Sequence, residues 1–390
     1  MNATVEKFDW KLTIRANIIK LKLVGLWPSG DDTYRPNWYT LWAAISIGLF
    51  IYAHNFFQVV NIVFIFDDLQ AITATIFVTL SELLTILKTY CMIQNMGILK
   101  RLMVSLNGDI FQPKNDRQKR LVQPSLTFWK VNYVLFYVMS SGAIFFWAAY
   151  PILDNSVKEH RLPFLAWYPY DTKISPFYEI TYVYQIFSIS FIAVTTLSID
   201  TLIGALNMYI GAQYDILCDD LKHLFDAEDS SMDFYRKLVN CVKHHRAILR
   251  FAEDSNSFFN WIVFLQFFIS ATSIGITMFQ LTVVVPFSSE FFSLLSFGLA
   301  ITVEIFIYCW FGNEVEVKSN NVAYAVFQSD WTNAPIELKK LLIFFTMRTQ
   351  TPLKMSALNL FYLSVDTFVR AILRTSWSYF ALLHQVNSKK

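Results

Sequence analysis

The chain has 390 residues, of which 55% are hydrophobic and only 16% are charged, and its net charge is +2. With 37 Phe against 11 Gly, this composition is typical of an all-α membrane protein rather than of two or three soluble domains. The small net charge excludes a basic nucleic-acid binder, and we expect no nucleic-acid partner. No GxSxG, HExxH or P-loop motif is present, so an enzyme is not expected. The four cysteines have no zinc-type spacing, and we expect no metal and no cofactor.

Residues 1–36 form the first segment, which is amphipathic rather than continuously apolar. Its large apolar residues fall near helical spacing, with Lys and Arg between them, which predicts a cytosolic helix at the membrane interface. The segment has no apolar h-region, so it does not resemble a cleaved signal peptide.

Four membrane spans are predicted within residues 37–212, and each exceeds the ~20 residues that a hydrocarbon core requires. Asp67 and Asp68 are predicted to form a tight turn after the first span. The fourth span is longer than a bilayer needs, so its end is expected to project into water. The four spans cover about 37–66, 69–94, 125–150 and 177–212.

The second half of the chain is predicted to contain three more spans. A cytosolic helical loop, 213–257, precedes the fifth and sixth spans within 258–311. Residues 312–350 are helical, charged and amphipathic, and we expect them to form a cytosolic anchor helix. The last segment, 351–390, is predicted as a seventh helix that begins at Thr351-Pro352, because proline suits the first helical turn.

The last helix is unusual because it carries charges inside its length. Asp366 and Arg370 lie at i,i+4 spacing, and Arg374 lies one turn further. A charge at the bilayer centre costs at least ~3 kcal/mol on insertion scales. We therefore expect this helix to face protein or water rather than lipid all round. The simplest interpretation of the three charges themselves is that they are solvated.

The distribution of Lys and Arg predicts the orientation of the chain. The N-terminal segment and the loops after spans two, four and six are basic, whereas the turns after spans one and five contain neither residue. By the positive-inside rule the N-terminus is cytosolic, and seven spans then place the C-terminus outside. This arrangement is the reverse of that in a G-protein-coupled receptor.

The C-terminal motifs are similar to those of a known family. The run Tyr379 to Gln385, YFALLHQ, resembles the TYhhhhhQF signature of insect chemoreceptors, with Ser378 in place of Thr and Val386 in place of Phe. The segment YCWFGNE at 308–314 and the run SDW at 329–331 resemble the region after span six in insect odorant receptors. The chain is identified as an odorant-tuned member of that family, because 213–257 is too short for the insertion of the co-receptor.

This resemblance implies a fold and a function. It implies a tetrameric, odorant-gated, non-selective cation channel in which each subunit contributes one helix to a central pore. It also implies a heterotetramer with a co-receptor subunit, in contact with membrane lipid, in the plasma membrane of olfactory sensory neurons. The expected ligand is a small volatile odorant. A gustatory-type channel remains the first alternative, and a secondary transporter is a weaker one.

A pore face is predicted from the spacing of Leu382, Gln385 and Val386, which share one side of a helix. Rings of such residues can form a hydrophobic constriction that closes by dewetting. Spacing alone favours the simpler interpretation, helix–helix packing, whereas the resemblance favours the pore.

The ligand pocket is expected to be a largely apolar cavity among the spans. The resemblance places it in the outer halves of spans two, three, four and six. Aromatic residues at these depths could instead belong to the core or to the interfacial belt. The candidate ligand-binding residues are Thr73, Phe77, Ser140, Ala143, Trp147, Tyr178, Tyr182, Gln185, Phe291 and Leu295.

Ionisable residues inside spans are functional candidates by default. Lys88, Asp200 and Glu304 lie toward the cytosolic ends of their spans, where snorkelling or pairing accounts for them. Glu82 lies deeper and is the strongest candidate, whereas His54 is interpreted as a packing residue.

Overall fold

Long helices form nearly all of the computed structural model, which describes residues 7–30, 34–65, 69–153, 156–225 and 231–387. The predicted turn at Asp67 and Asp68 lies outside these residues. The helices are α1 (Arg15–Leu23), α2 (Trp38–Phe64), α3 (Leu69–Gln94), α4 (Met96–Leu106), α5 (Asp116–Leu153), α6 (Phe177–Lys222), α7 (Ser231–Val283), α8 (Ser289–Phe327), α9 (Ile336–Thr349) and α10, whose consecutive segments are Val365–Thr367, Phe368–Leu373 and Arg374–Asn387. Single 3₁₀ turns occur at Trp10–Leu12, Asp109–Phe111, Ser156–Glu159 and Trp331–Asn333.

Six of these helices, α2, α3, α5, α6, α7 and α8, are long and apolar enough to cross a membrane, counting only the described residues. This confirms a multi-pass membrane protein. The seventh predicted span corresponds to α10, which is not among the six because its sequence is too polar. The orientation of the termini and the tetramer remain predictions.

Several helices are longer than a bilayer is thick. Helix α6 has 46 residues, or roughly 70 Å at 1.5 Å per residue, against a hydrocarbon core of ~30 Å. Helix α7 has 53 residues and joins most of the predicted loop 213–257 to the fifth span. Helix α8 continues through Gly312 without a break, so the anchor region begins inside a spanning helix rather than after it.

The predicted start of the last helix at Thr351-Pro352 is wrong. A short antiparallel hairpin, β1 (Ser356–Ala357) and β2 (Phe361–Tyr362), precedes α10. Helix α10 begins instead at Val365, where the Ser364 hydroxyl accepts a hydrogen bond from the backbone N–H of Thr367 at 3.1 Å. A serine in that position is a strong N-terminal cap.

Contacts from α7 explain why the hairpin replaces a helix. The side-chain oxygens of Asn256 and Asn260 accept hydrogen bonds from the backbone N–H groups of Ser356 and Leu358. Leu358 and Asn359 have φ values of 50° and 55°, in the left-handed region that ends a helix and closes a tight turn. The Glu316 carboxylate, 3.0 Å from the Lys354 ammonium, holds the segment to α8 and raises the pKa of Lys354.

The core is densest around the second half of α6. Every described residue from Leu197 to Tyr214 is buried, and a Cβ at Gly204 would lie only 3.0 Å from Ile307 of α8. Helix α1 docks on the same helix, since Asn17 donates a hydrogen bond to the carbonyl of Ser198 at 3.0 Å. The apolar face of the N-terminal segment therefore packs on the bundle.

Helix α10 crosses α7 at very close range. A Cβ at Gly275 would lie 2.7 Å from the Cβ of Tyr379 and 2.8 Å from the carbonyl oxygen of Ser376. The Ser376 hydroxyl donates a hydrogen bond to the carbonyl of Ala271 at 3.0 Å. Small residues allow such crossings in membranes because the two backbones can approach.

Candidate functional site

A cavity of about 140 Å³ lies among α3, α5, α6 and α8. Most of its lining is apolar, and the polar exceptions include two carboxyl groups. Its lining residues are Val78, Ser81, Glu82 and Thr85 from α3, Phe136, Ser140, Ala143, Ile144 and Trp147 from α5, Phe164 from the following loop, Ile189, Ile192, Ala193, Thr196 and Leu197 from α6, and Phe297, Ala300, Ile301 and Glu304 from α8.

The volume of the cavity limits what it can hold. An apolar protein cavity of ~150 Å³ binds benzene. This cavity, at about 140 Å³, therefore accommodates a single six-membered ring or a chain of similar size. Such a ligand would be held mainly by burial of its apolar surface.

A second, smaller cavity of about 80 Å³ adjoins the first. It shares Val78, Trp147 and Phe164 with the larger one, but its wall is more polar, with Arg161 and Glu290 among its residues. The rings of Trp147 and Phe164 stack with their centroids 4.8 Å apart and their planes 4° from parallel. This stacked pair separates the apolar chamber from the polar one.

Gln185 holds Phe164, one ring of the stacked pair, in place. Its side-chain oxygen accepts the backbone N–H of Phe164 at 3.0 Å, and its Nε2 donates to the carbonyl of the same residue, also at 3.0 Å. Nε2 is also 3.2 Å from the hydroxyl of Tyr168. Both backbone groups of Phe164 are thus satisfied inside an apolar bundle, which is necessary for irregular backbone at that depth.

Glu82 belongs to a fully buried polar cluster with His54, Gln58 and Thr79. The Gln58 Nε2 donates to Glu82 Oε1 at 3.2 Å and lies 3.1 Å from His54 Nε2. The Gln58 oxygen accepts from the Thr79 hydroxyl at 3.0 Å. The cluster joins α2 to α3 beside the cavity, and His54 is part of it, as expected of a buried packing residue.

Lys88 pairs with two buried acidic residues of the bundle. Its ammonium lies 2.6 Å from Asp200 and 2.9 Å from Glu304, and all three side chains are nearly inaccessible. The Tyr308 hydroxyl donates to Asp200 at 2.5 Å. Buried charges are tolerated when they are paired and hydrogen-bonded in this way. Pairing, rather than snorkelling, therefore accounts for these three residues.

Three of the ten predicted ligand-binding residues, Ser140, Ala143 and Trp147, border the cavity. Phe77 is buried behind its wall, against Phe297 at 5.1 Å. The other described residues lie away from it. Tyr178 and Tyr182 donate to the backbone carbonyls of Arg161 and Ala148, Gln185 holds Phe164, Phe291 packs on Phe287, and Leu295 is exposed. The side chain of Thr73 lies outside the described residues.

The cavity is displaced from the predicted pocket by about two helical turns on α3 and about three on α6. On α3 it is bordered by 78–85 rather than 73–77, and on α6 by 189–197 rather than 178–185. Phe164 and its neighbours occupy the outer space instead. The apolar run Leu162 to Leu165 inside an otherwise polar loop was the available signal for this insertion.

On α10, neighbouring residues point in different directions. Leu382 is 58% exposed, and Gln385 is also exposed, whereas the side chain of Val386 lies outside the described residues. Leu383 packs against the buried cluster of Phe77, Val78, Phe164, Ile276 and Leu294, which backs the cavity. Asp366 and Arg370 form an exposed ion pair at 2.6 Å.

Comparison with known proteins identifies the family. The family model described as 7tm Odorant receptor matches residues 68–376. The chain belongs to the odorant receptor family. It is 26% identical to Odorant receptor Or1 of Anopheles gambiae over the whole chain and 99% of that protein. It is 24% identical to Odorant receptor 23a of Drosophila melanogaster over 75% of the chain and 74% of that protein.

Solved structures show the same fold. The olfactory receptor OR5 from Machilis hrabei, in complex with eugenol, superposes with a TM-score of 0.86 at 19% identity, covering 97% of this odorant receptor and all of OR5. A second OR5 structure superposes with a TM-score of 0.84. The family match favours the odorant-receptor prediction over the gustatory-type alternative.

Proposed function

We propose that this chain is the odorant-tuned subunit of an odorant-gated, non-selective cation channel, assembled with a co-receptor in the plasma membrane of olfactory sensory neurons. Membership of the odorant receptor family supports the sensory role. The ligand is a small volatile compound that occupies the apolar cavity. A related fold has been solved with eugenol, a substituted six-membered ring, and this supports the assignment.

The observation that carries the channel proposal is a shared wall. The cluster of Phe77, Val78, Phe164, Ile276 and Leu294 backs the cavity on one side and receives Leu383 of α10 on the other. A ligand that changes how this cluster packs also changes the surface on which α10 packs. Packed interfaces shift between discrete arrangements, so a small change at the cavity can move a helix.

Hydrogen bonds through α7 also link the cavity wall to α10. The Ser273 hydroxyl of α7 donates to the carbonyl of Phe77 at 3.3 Å, and the carbonyl of Ala271 accepts from Ser376 of α10. Helix α7 is therefore bonded to the cavity wall and to α10 within one turn. A ligand that prefers one arrangement of this unit shifts the population of channel states by its differential affinity.

Co-expression tests the proposal. The chain is expressed with and without the co-receptor, and membrane current is recorded during application of a broad panel of volatiles. We expect current only in paired cells. The channel assignment fails if no volatile of any class produces current although a non-odorant agonist of the co-receptor does. Current from the chain alone would favour a gustatory-type channel, and saturable uptake without single-channel events would favour a transporter.

The pore face is tested with single cysteines. Cysteine at 382, 385 or 386 should react with extracellular thiol reagents faster in the presence of an activating volatile. Cysteine at 383 or 384 should not, because Leu383 packs on the cavity-backing cluster. Faster reaction at 383 and 384 alone would assign the pore to the opposite face.

A further inference from the structure

A buried acidic oxygen at the cavity has no hydrogen-bond donor. Glu82 borders the cavity and is 2% exposed. Its Oε1 accepts from Gln58, but no group in the described part of the chain donates a hydrogen bond to Oε2. Nε2 of His54 lies 3.4 Å from Oε2. A buried acceptor left without a donor is costly.

The surrounding hydrogen bonds keep His54 from serving that oxygen. The Gln58 amide nitrogen has two hydrogens, and its partners are Glu82 Oε1 and His54 Nε2. Nε2 of the imidazole therefore accepts from Gln58, and Nδ1 has no partner. No donor of the cluster makes a hydrogen bond to Oε2.

The charges of the cavity wall lead to the same conclusion. Glu82 and Glu304 both border the cavity, and Lys88 is shared between Glu304 and Asp200. That cation is bonded to two carboxyl groups already and makes no ion pair with Glu82. The wall of the apolar chamber thus contains one carboxyl group with an oxygen that no described residue serves. Oε2 has almost no accessible surface in this structure, so a donor in the cavity meets it only after the Glu82 side chain turns.

We propose that Glu82 is the polar anchor of the ligand, and that the ligand is a small apolar compound with one strong hydrogen-bond donor. The donor is a hydroxyl, as in an alcohol or phenol, or a protonated amine. The inference rests on the proposed function. Supplying a donor to a buried, unsatisfied acceptor changes affinity by roughly tenfold to a hundredfold, whereas a methyl ether of the same body has no donor and leaves Oε2 unpaired.

Matched probes on receptor paired with its co-receptor test the anchor. For cyclohexyl, phenyl and straight six-carbon bodies, the alcohol, the amine and the methyl ether are compared by half-activation concentration. We expect the donor-bearing members to be at least roughly tenfold more potent than the ethers. Ethers of equal potency overturn the inference. So does a panel in which esters or ketones activate the receptor but no alcohol or amine does.

Two variants of Glu82 distinguish a ligand that donates from an amine from one that donates from a hydroxyl. Glu82→Gln keeps an acceptor oxygen and removes the charge, so amine potency should fall roughly tenfold while alcohol potency stays within a few-fold. Glu82→Leu removes the acceptor and should bring the alcohol-to-ether ratio close to one. An unchanged ratio in Glu82→Leu contradicts the anchor.

A control on the same helix distinguishes anchoring from folding. Thr89 is buried, its hydroxyl also has no hydrogen-bond partner, and it does not border the cavity. Thr89→Val should keep both potency ratios. Current evoked by a non-odorant agonist of the co-receptor must persist in every variant. Absence of all volatile responses in the wild-type pair, by contrast, counts against the proposed function and not against Glu82 alone.

Discussion

The two halves of α6 differ in what surrounds them. From Leu197 to Tyr214 the helix is buried on all sides, and Gly204 brings it against Ile307. From Ile189 to Thr196 the same helix borders the cavity. Protein interiors are normally packed to crystal-like density, so a cavity of this size distinguishes the ligand-accessible part of the bundle. The buried part of α6 stabilises the fold, and the part that borders the cavity is available to a ligand.

The largest effect is expected where the two halves meet, at the ion cluster of Lys88. Lys88→Met leaves Asp200 and Glu304 buried without a cation, which costs about 3–5 kcal/mol. We expect loss of surface expression, measured by antibody staining of an extracellular epitope.

Two controls accompany this variant. Lys100→Met removes an ammonium that donates to the backbone carbonyls of Pro28 and Gly30 and lies over the Trp27 ring, and expression should persist. Combining Lys88→Met with Asp200→Asn and Glu304→Gln removes all three charges and should restore part of the expression. Normal expression of Lys88→Met alone would mean that the cluster does not stabilise the bundle.

A smaller effect is expected at the crossing of α7 and α10. Gly275→Val inserts side-chain atoms where a Cβ already lies 2.7 Å from Tyr379. Overpacking costs about 1–3 kcal/mol, enough to move an opening equilibrium by roughly tenfold. Half-activation concentrations for volatiles should change by that factor. Gly142→Val on α5, where nothing lies within 4 Å of a Cβ, should leave them unchanged.

A selective effect is expected at the wall between the chambers. Trp147→Leu removes one ring of the stacked pair, worth about 0.5–1.5 kcal/mol beyond its burial, and joins the two cavities. Larger ligands should gain potency relative to smaller ones by several-fold, read from a volatile panel. Tyr182→Phe is the matched aromatic control, because its hydroxyl bonds the carbonyl of Ala148 outside the cavity. Equal changes in both variants would argue against a chamber wall.

The smallest effect on stability is expected at Leu382, which is 58% exposed. Leu382→Ser should change the free energy of unfolding by less than about 0.5 kcal/mol. If Leu382 lines the proposed pore, the same change should raise current in the absence of ligand by admitting water to the pore. Leu383→Ser should instead weaken the cavity-backing cluster and lower responses. Recordings without ligand and dose–response curves separate the two.

The sequence predicted the spans well because membrane burial imposes long apolar runs, as in α3 and α8. The hairpin before α10 was not predicted. Its backbone is bound by two asparagines of α7, which lie about a hundred positions earlier in the chain. Local propensity favours a helix there, and the tertiary contacts override it.

The candidate site was predictable in part for a similar reason. Ser140, Ala143 and Trp147 repeat at three- and four-residue spacing on one face of α5, so their shared exposure to a cavity could be anticipated. The depth of that cavity could not, because it depends on Phe164, which reaches the bundle through bonds to Gln185. The pairing partners of Lys88 come from α6 and α8, and spacing within one helix does not reveal them.

Gln185 has a consequence for how such receptors can diversify. One amide satisfies both the N–H and the carbonyl of Phe164, so a single side chain sets the point at which the loop enters the bundle. On either side of this point the loop is bonded to helices through Arg161 and Trp167. A substitution at Phe164 can therefore change the lining of the cavity while the loop and the packed helices keep their positions.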